Sequence, residues 1–438
     1  MNTNSVNINL KGKLKAINSW LMYDWANSVY QLSITSAILP AYYSAVAKGD
    51  AAGMVNFFGW SVLNTSLYAW AVSASFLIVA LLSPFLSALA DITGRRLMFM
   101  KIFTWIGALS CMALYYFTPQ RIELGVIAFT LAGIGYSGSL VFYNAWLPEI
   151  APKGEEDRIS ARGFALGYAG GIILMLINLA MLLKPEIFGI EGKGMPARIA
   201  FVTVGIWWLS FAQIPFYVLP SRLKTTNTAN ASTGLLLKGY AELRKVWKNF
   251  QSNPIMLRYL IGYFFTMMAV LTVMYMAANF GKKELGLKDE VLIPTILIIQ
   301  VLGIVGALLF ARLAKRLGTI PILLFCIVVW IGICIGAWFV QTALHFMILA
   351  SVVGLVMGAV QALARSGWSK LLPNEDDHTS YFSFYDVAEK LAVVLGTFLF
   401  GLLEWLTGSM RYAVVFLALI FVLALIAFGS IGKEKIRK

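Results

Sequence analysis

The chain has 438 residues, 59% of them hydrophobic and only 13% charged, with a mean hydropathy of +0.77. A soluble domain is about a quarter charged, so this composition excludes one and describes a membrane protein with short loops. The net charge of +14 then reads as topology and not as a nucleic-acid footprint, because basic residues collect on the inner side of a membrane protein.

The first nineteen residues are polar and carry Lys11, Lys13 and Lys15. The apolar run behind them is too long for a signal h-region and lacks a small-residue cleavage site, so it is expected to remain as the first span. At about 20 apolar residues per span, twelve can be placed. The first six are 20–46, 64–90, 97–117, 122–147, 160–183 and 198–219. A polar segment, 220–254, separates them from 255–279, 291–314, 319–340, 343–365, 380–407 and 411–431. With both ends inside, the inner segments hold 25 lysines and arginines against 9 outside. That bias predicts cytoplasmic termini.

The first span carries Asp24, Ser28, Gln31 and Thr35 at helical spacing, which puts them on one face. Such a stripe is costly against lipid and is expected to face protein or a water-filled cavity. Asp24 reads either as a carboxylate bracing the bundle's inner end or as a proton carrier or substrate contact. The second span ends on SPFLSALADITGRR, where Gly94 permits a tight reversal and Arg95 and Arg96 hold the loop inside. In the fourth span Tyr136 and Tyr143, like Ser137 and Asn144, lie seven apart on a shared face. Gly133, Gly135 and Gly138 there favour close helix approach, and Glu149 is expected in the solvated headgroup region. Gly163, Gly167 and Gly171 open the fifth span as a small-residue packing face.

The 220–254 segment opens Ser/Thr/Asn-rich, then places Leu236, Tyr240, Leu243 and Trp247 at helical spacing between basic residues. It reads as an amphipathic surface helix or as a solvated linker. In the tenth span Gly354 and Gly358 are expected to open a groove above Gln361 and Arg365. The eleventh holds Asp386, Glu389 and Lys390, with Asp386 and Lys390 spaced for an intrahelical ion pair. The halves echo each other: GALLFARLAKRLG (306–318) stands where LSALADITGRR stands in the first, and WLPEIAPKGEEDRIS (146–160) matches KLLPNEDDHTS (370–380). The three cysteines sit in apolar runs, the two histidines lack metal-ligand spacing, and there is no P-loop. No enzyme chemistry, cofactor or metal is expected.

Asp91, Gly94, Arg95 and Arg96 resemble the loop 2–3 motif of the major facilitator superfamily, with Ser87 and Ile92 departing from it. The blocks YDWANSVYQLSITSAILPAYY, YNAWLPEIAPKGEEDRISARGFALGYAGG, GAVQALARSGWSKLLP, FSFYDVAEKLAVVLG and TGSMRYAVV resemble the vacuole-effluxer-like branch of that superfamily. The resemblance implies an all-α integral membrane protein: twelve transmembrane helices in two pseudo-symmetric six-helix bundles, 1–219 and 255–438, joined by a cytoplasmic linker, 220–254. It implies alternating access without ATP. Substrate or coupling candidates are Asp24, Ser28, Gln31, Thr35, Tyr136, Tyr143, Asn144, Gln361 and Arg365. It also assigns Asp91, Gly94, Arg95 and Arg96 to an inner gate closing on the start of the eleventh span, where Asp386, Glu389 and Lys390 are the gate candidates and Asp91 is expected near Asp386 and Lys390. The expected partners are a small polar solute such as an amino acid, protons and lipid, for a monomer in a bacterial inner membrane. Tyr168 replaces the proline of the antiporters' fifth-span motif, and the fourth span lacks the arginine of drug/proton antiporters, which leaves coupling open. A non-transporting receptor on the same fold, or a sugar, peptide or drug transporter, stays open as an alternative.

Overall fold

The computed structural model describes residues 10–49, 54–192, 194–221, 235–373 and 378–431. Its helices begin with α1 (Leu10–Val29) and α2 (Leu39–Val46), joined by a π-helical stretch at Tyr30–Ile38. Then come α3 (Asn64–Thr93), α4 (Arg96–Ala113), α5 (Ile122–Asn144), the short α6 (Leu147–Ile150), α7 (Glu156–Leu183) and α8 (Met195–Val218). The second half holds α9 (Leu235–Ser252), α10 (Pro254–Leu285), α11 (Asp289–Leu317) and α12 (Thr319–Gly336). It ends with α13 (Ala343–Leu371), α14 (His378–Thr407) and α15 (Met410–Gly429).

Among the described residues, ten helices are long and apolar enough to cross a membrane. The first and eleventh expected spans, which fall on α1–α2 and α14, are not among those ten. α1 contains Lys11, Lys13, Lys15 and Asp24, and α14 contains Asp386, Glu389, Lys390 and Glu404. The all-helical reading has one exception, an antiparallel hairpin of β1 (Met54–Phe57) and β2 (Trp60–Leu63) in the loop before α3. Its two-residue turn takes Phe58 and Gly59 to φ of 50° and 85°, and Asn56 Oδ1 accepts from the Gly59 amide at 2.8 Å. Positive φ at both central residues matches the right-handed strand twist.

Buried apolar side chains form two main clusters. One is drawn from residues 16–219, the other from residues 246–431 together with Ala145. A small third cluster, Ala161, Ala307, Ala311 and Ala362, joins α7 to α11 and α13 across the halves. Glycines permit the close approaches. A Cβ on Gly135 would lie 2.3 Å from Gly107 Cα, and one on Gly167 would lie 2.3 Å from Ser28 Oγ. Gly354 and Gly358 correct an expectation: they open no groove, because the α11 backbone at Ile299 and Gly303 fills the space beside them.

α9 is helical, and its Val246 and Phe250 are buried. Phe250 meets the rings of Trp368, Tyr381 and Phe384, and Asn249 Nδ2 donates to Tyr381 Oη at 2.7 Å. The helix packs against α3, α10 and α14. The Ser/Thr/Asn-rich opening of the linker and the side chains of Leu236, Tyr240 and Leu243 lie outside those described.

Candidate functional site

Three layers of polar contact tie the halves together at the end of the bundle where α3 turns into α4. In the outermost, Gly94 caps α3 in the left-handed region (φ 64°), with the Arg95 amide donating to Ala90 O at 3.1 Å. This turn presents Asp91 and Arg96 inward and leaves Arg95 exposed. Asp91 Oδ2 accepts from the Ser380 amide at 2.7 Å and from Ser380 Oγ at 2.9 Å, two donors at the start of α14. A carboxylate at a helix N-terminus satisfies amides that have no intrahelical partner. Arg96, 1% exposed, donates to Asp91 Oδ1, to Thr379 Oγ1, to Ala145 O and to Glu149 Oε1. His378 Nδ1 lies 2.9 Å from the same Glu149 oxygen, so Glu149 is a paired acid and not a freely solvated one.

The gate expectation is thereby corrected in one respect. Asp91 meets Thr379 and Ser380, while Asp386, Glu389 and Lys390 lie about 9–15 Å further along α14 at 1.5 Å per residue.

The second layer is built on Asp157 in the first turn of α7. Its carboxylate accepts from Ser366 Oγ at 2.5 Å, Lys370 Nζ at 2.6 Å and Thr319 Oγ1 at 3.0 Å. Beside it Glu155 accepts from Lys315 Nζ at 2.5 Å and Arg158 Nη1 at 3.2 Å, which holds its carboxyl below the usual glutamate range.

The third layer is the pair Asp24–Arg365, 3.1 Å between Oδ2 and Nη2, with side chains 6% and 3% exposed. Arg365 also donates to Ser160 Oγ and Ser160 O, each at 2.9 Å, and to Asn144 Oδ1 at 3.4 Å. Its guanidinium lies 4.2 Å from the Phe164 ring centroid, 4.9 Å from Trp20 and 5.6 Å from Tyr143. Gly163 makes room for the pair: a Cβ there would sit 2.3 Å from Asp24 Oδ2.

Above this floor the remaining predicted groups are half-buried. Tyr136 Oη donates to Gln31 Oε1 at 3.0 Å, and Tyr168 Oη donates to Gln361 Oε1 at 2.6 Å. The stripe expected on the first span is interrupted, because the α period ends at Val29 and the π stretch carries Gln31 and Thr35. Ser28 packs against Gly167 of α7 and so faces its own half. Deeper still, Lys390 Nζ lies 3.0 Å from Asp386 Oδ1 and 2.9 Å from Glu389 Oε1. Tyr263 Oη donates to Glu389 Oε2 at 2.6 Å. Sequence reasoning missed Asp157, Ser160, Lys370 and the Thr379–Ser380 pair. The echo between the loops before α7 and α14 was the one signal that could have found them.

A family model described as vacuole effluxer Atg22 like matches residues 12–438. The chain belongs to that family. The Atg22-like chain is 28% identical to an uncharacterized MFS-type transporter, YxiO of Bacillus subtilis, over 97% of this chain and 96% of that one. It is 23% identical to autophagy-related protein 22 of Saccharomyces cerevisiae over 100% of this chain and 95% of the yeast protein. Among solved structures, FucP of E. coli in the outward conformation superposes with a TM-score of 0.67 at 13% identity, over 96% of this chain and 99% of FucP. The fold is that of the major facilitator superfamily, and this Atg22-like protein is a multi-pass membrane transporter, not an enzyme.

Proposed function

We propose that this Atg22-like chain exports an amino acid or a closely similar polar solute across a bacterial inner membrane by alternating access. The observation that carries the reading is the Asp24–Arg365 pair, which joins the halves beneath the half-buried Gln31–Tyr136 and Tyr168–Gln361 pairs. A solute bound by those hydroxyls and amides can leave toward the paired end only after this contact parts. Bundles 1–219 and 255–438 are the moving bodies in this proposal, 220–254 is their cytoplasmic linker, and a monomer suffices. The effluxer description of the family supports the direction. Asp24 is then a latch, since its charge is matched by one arginine.

The test is efflux of labelled amino acids from proteoliposomes holding the whole chain. Wild type should show saturable flux for at least one of them, and Arg365→Ala should reduce it more than tenfold. No flux for any amino acid would overturn the substrate class. Orientation is read separately from single cysteines at the exposed Lys153 and Glu191 in intact cells. An impermeant thiol reagent should label only the second.

A further inference from the structure

We propose that Asp386 is a proton-binding group and that its proton is the one exchanged during transport, an inference that rests on the transport reading above. Lys390 Nζ serves two carboxylates, Asp386 Oδ1 at 3.0 Å and Glu389 Oε1 at 2.9 Å. Glu389 Oε2 accepts from Tyr263 Oη. Three of the four carboxylate oxygens therefore have donors. The fourth, Asp386 Oδ2, is buried without a hydrogen-bond partner, on a residue 5% exposed.

Two carboxylates against one ammonium leave one uncompensated negative charge; the Glu389 side chain is 29% exposed and that of Asp386 6%, so the charge is most disfavoured on Asp386. A proton on Oδ2 brings the cluster to zero. The surroundings supply no better answer. From α10, Tyr263 stacks on Tyr385 with ring centroids 3.8 Å apart, and Tyr275 stands near Lys390 and Glu389. From α3, Phe76 lies 5.9 Å from Lys390 Nζ, and from α5 the nearby ionisable group is Tyr136. Arg365 on α13 is bonded to Asp24. Asp24, by contrast, carries no unmatched charge.

Position makes the proton exchangeable. α14 packs against α3 and α5 of the first half, so any parting of α14 from α3 brings water toward Oδ2. Dry surroundings favour the neutral acid and water favours the carboxylate. One O–H bond forms at Oδ2 with a proton from water and later breaks to release it to water on the other side. No electron moves.

The experiment is infrared difference titration of the full chain in lipid, reading the C=O stretch of protonated carboxylic acid. Above the pH range in which the chain's other carboxylates titrate, wild type should show one titrating band. Asp386→Asn and Glu389→Gln should each lose it, because each leaves one acid matched to one lysine, and that matched pair should keep both variants folded. Lys390→Met should show two bands, and Asp24→Asn should keep one. A wild-type spectrum without the band, or a band surviving in both Asp386→Asn and Glu389→Gln, would overturn the proton site. In pyranine-loaded proteoliposomes, pulses of mixed amino acids should move protons in wild type but not in Asp386→Asn. Labelled amino-acid flux that moves no protons would defeat the coupling role, whereas absence of labelled flux with the infrared band intact would defeat the transport reading instead.

Discussion

Two turns of the first half, the α3–α4 hairpin and the loop that opens α7, close the same end of the bundle by different electrostatics. In the first, the opposite charges belong to one half: Asp91 pairs with Arg96, five residues away. What crosses to the other half is hydrogen bonding with Ser380 and Thr379. In the second, the ion pairs themselves cross, Asp157 to Lys370 and Glu155 to Lys315. Parting the α3–α4 hairpin from α14 leaves its charges neutralised, while parting the α7 loop from the second half separates Asp157, whose side chain is 5% exposed, from Lys370. The deeper Asp24–Arg365 contact is of the second kind. The lesson is that two turns closing one end of a bundle can carry very different opening costs.

The comparison can be tested from its strongest contact downward. Arg365→Ala leaves Asp24 buried without its counter-ion and should lower thermal stability by about 3–5 kcal/mol. Asp24→Asn combined with Arg365→Ala should recover part of that loss, and equal melting temperatures for the single and double variants would remove charge from the explanation. Asp157→Asn should cost the closed arrangement about 2–3 kcal/mol, or roughly thirty- to a hundred-and-sixtyfold in the open-to-closed ratio. The readout is the labelling rate of a cysteine at Gln361 from the paired side. Asp91→Asn should raise that rate less than about tenfold, since an asparagine oxygen still accepts from Ser380 and Arg96 keeps Glu149 at 3.3 Å. If Asp91→Asn opens the protein more than Asp157→Asn, the distinction between the two turns is wrong.

The smallest effect belongs to Lys315→Ala, expected within about 1 kcal/mol because Lys315 is exposed. Its pH dependence is diagnostic. Glu155 is held below its ordinary range first by the Lys315 hydrogen bond. Its stabilising contribution is therefore present above the unfolded value and is lost as pH falls through the folded one. Acidification should speed Gln361 cysteine labelling in a Lys315-containing protein and change it less in Lys315→Ala.

Much of the scaffold was legible because local rules decide it. Gly94 ends α3 as its conformational freedom requires, and Gly163, Gly167 and Gly171 pack against α1. The Asp386–Lys390 spacing gave its ion pair directly. The pairings that define the site were not legible, since they join residues far apart in the chain, as Asp24 and Arg365 do. Asp157 drew no reading of its own, because nothing nearby in sequence reveals Lys370 and Thr319. The break in the polar stripe was hidden too, for Tyr30–Ile38 contains no proline or glycine to announce a change of helical period. Glu389 was placed beside a pair, and only the structure shows that both acids lean on one lysine.

The docking of α9 has a consequence for energetics in the membrane. This helix touches α3 from one half and α14 from the other, yet stands apart from the polar groups proposed to meet solute. Its Trp247 is 49% exposed beside the buried Phe250, with Arg244 and Lys248 also exposed. Anionic headgroups that gather on that basic face would add their attraction to the docked position and so to the arrangement in which α3 and α14 are held together. Lipid composition would then act as a bias on the resting conformation, set before any solute arrives.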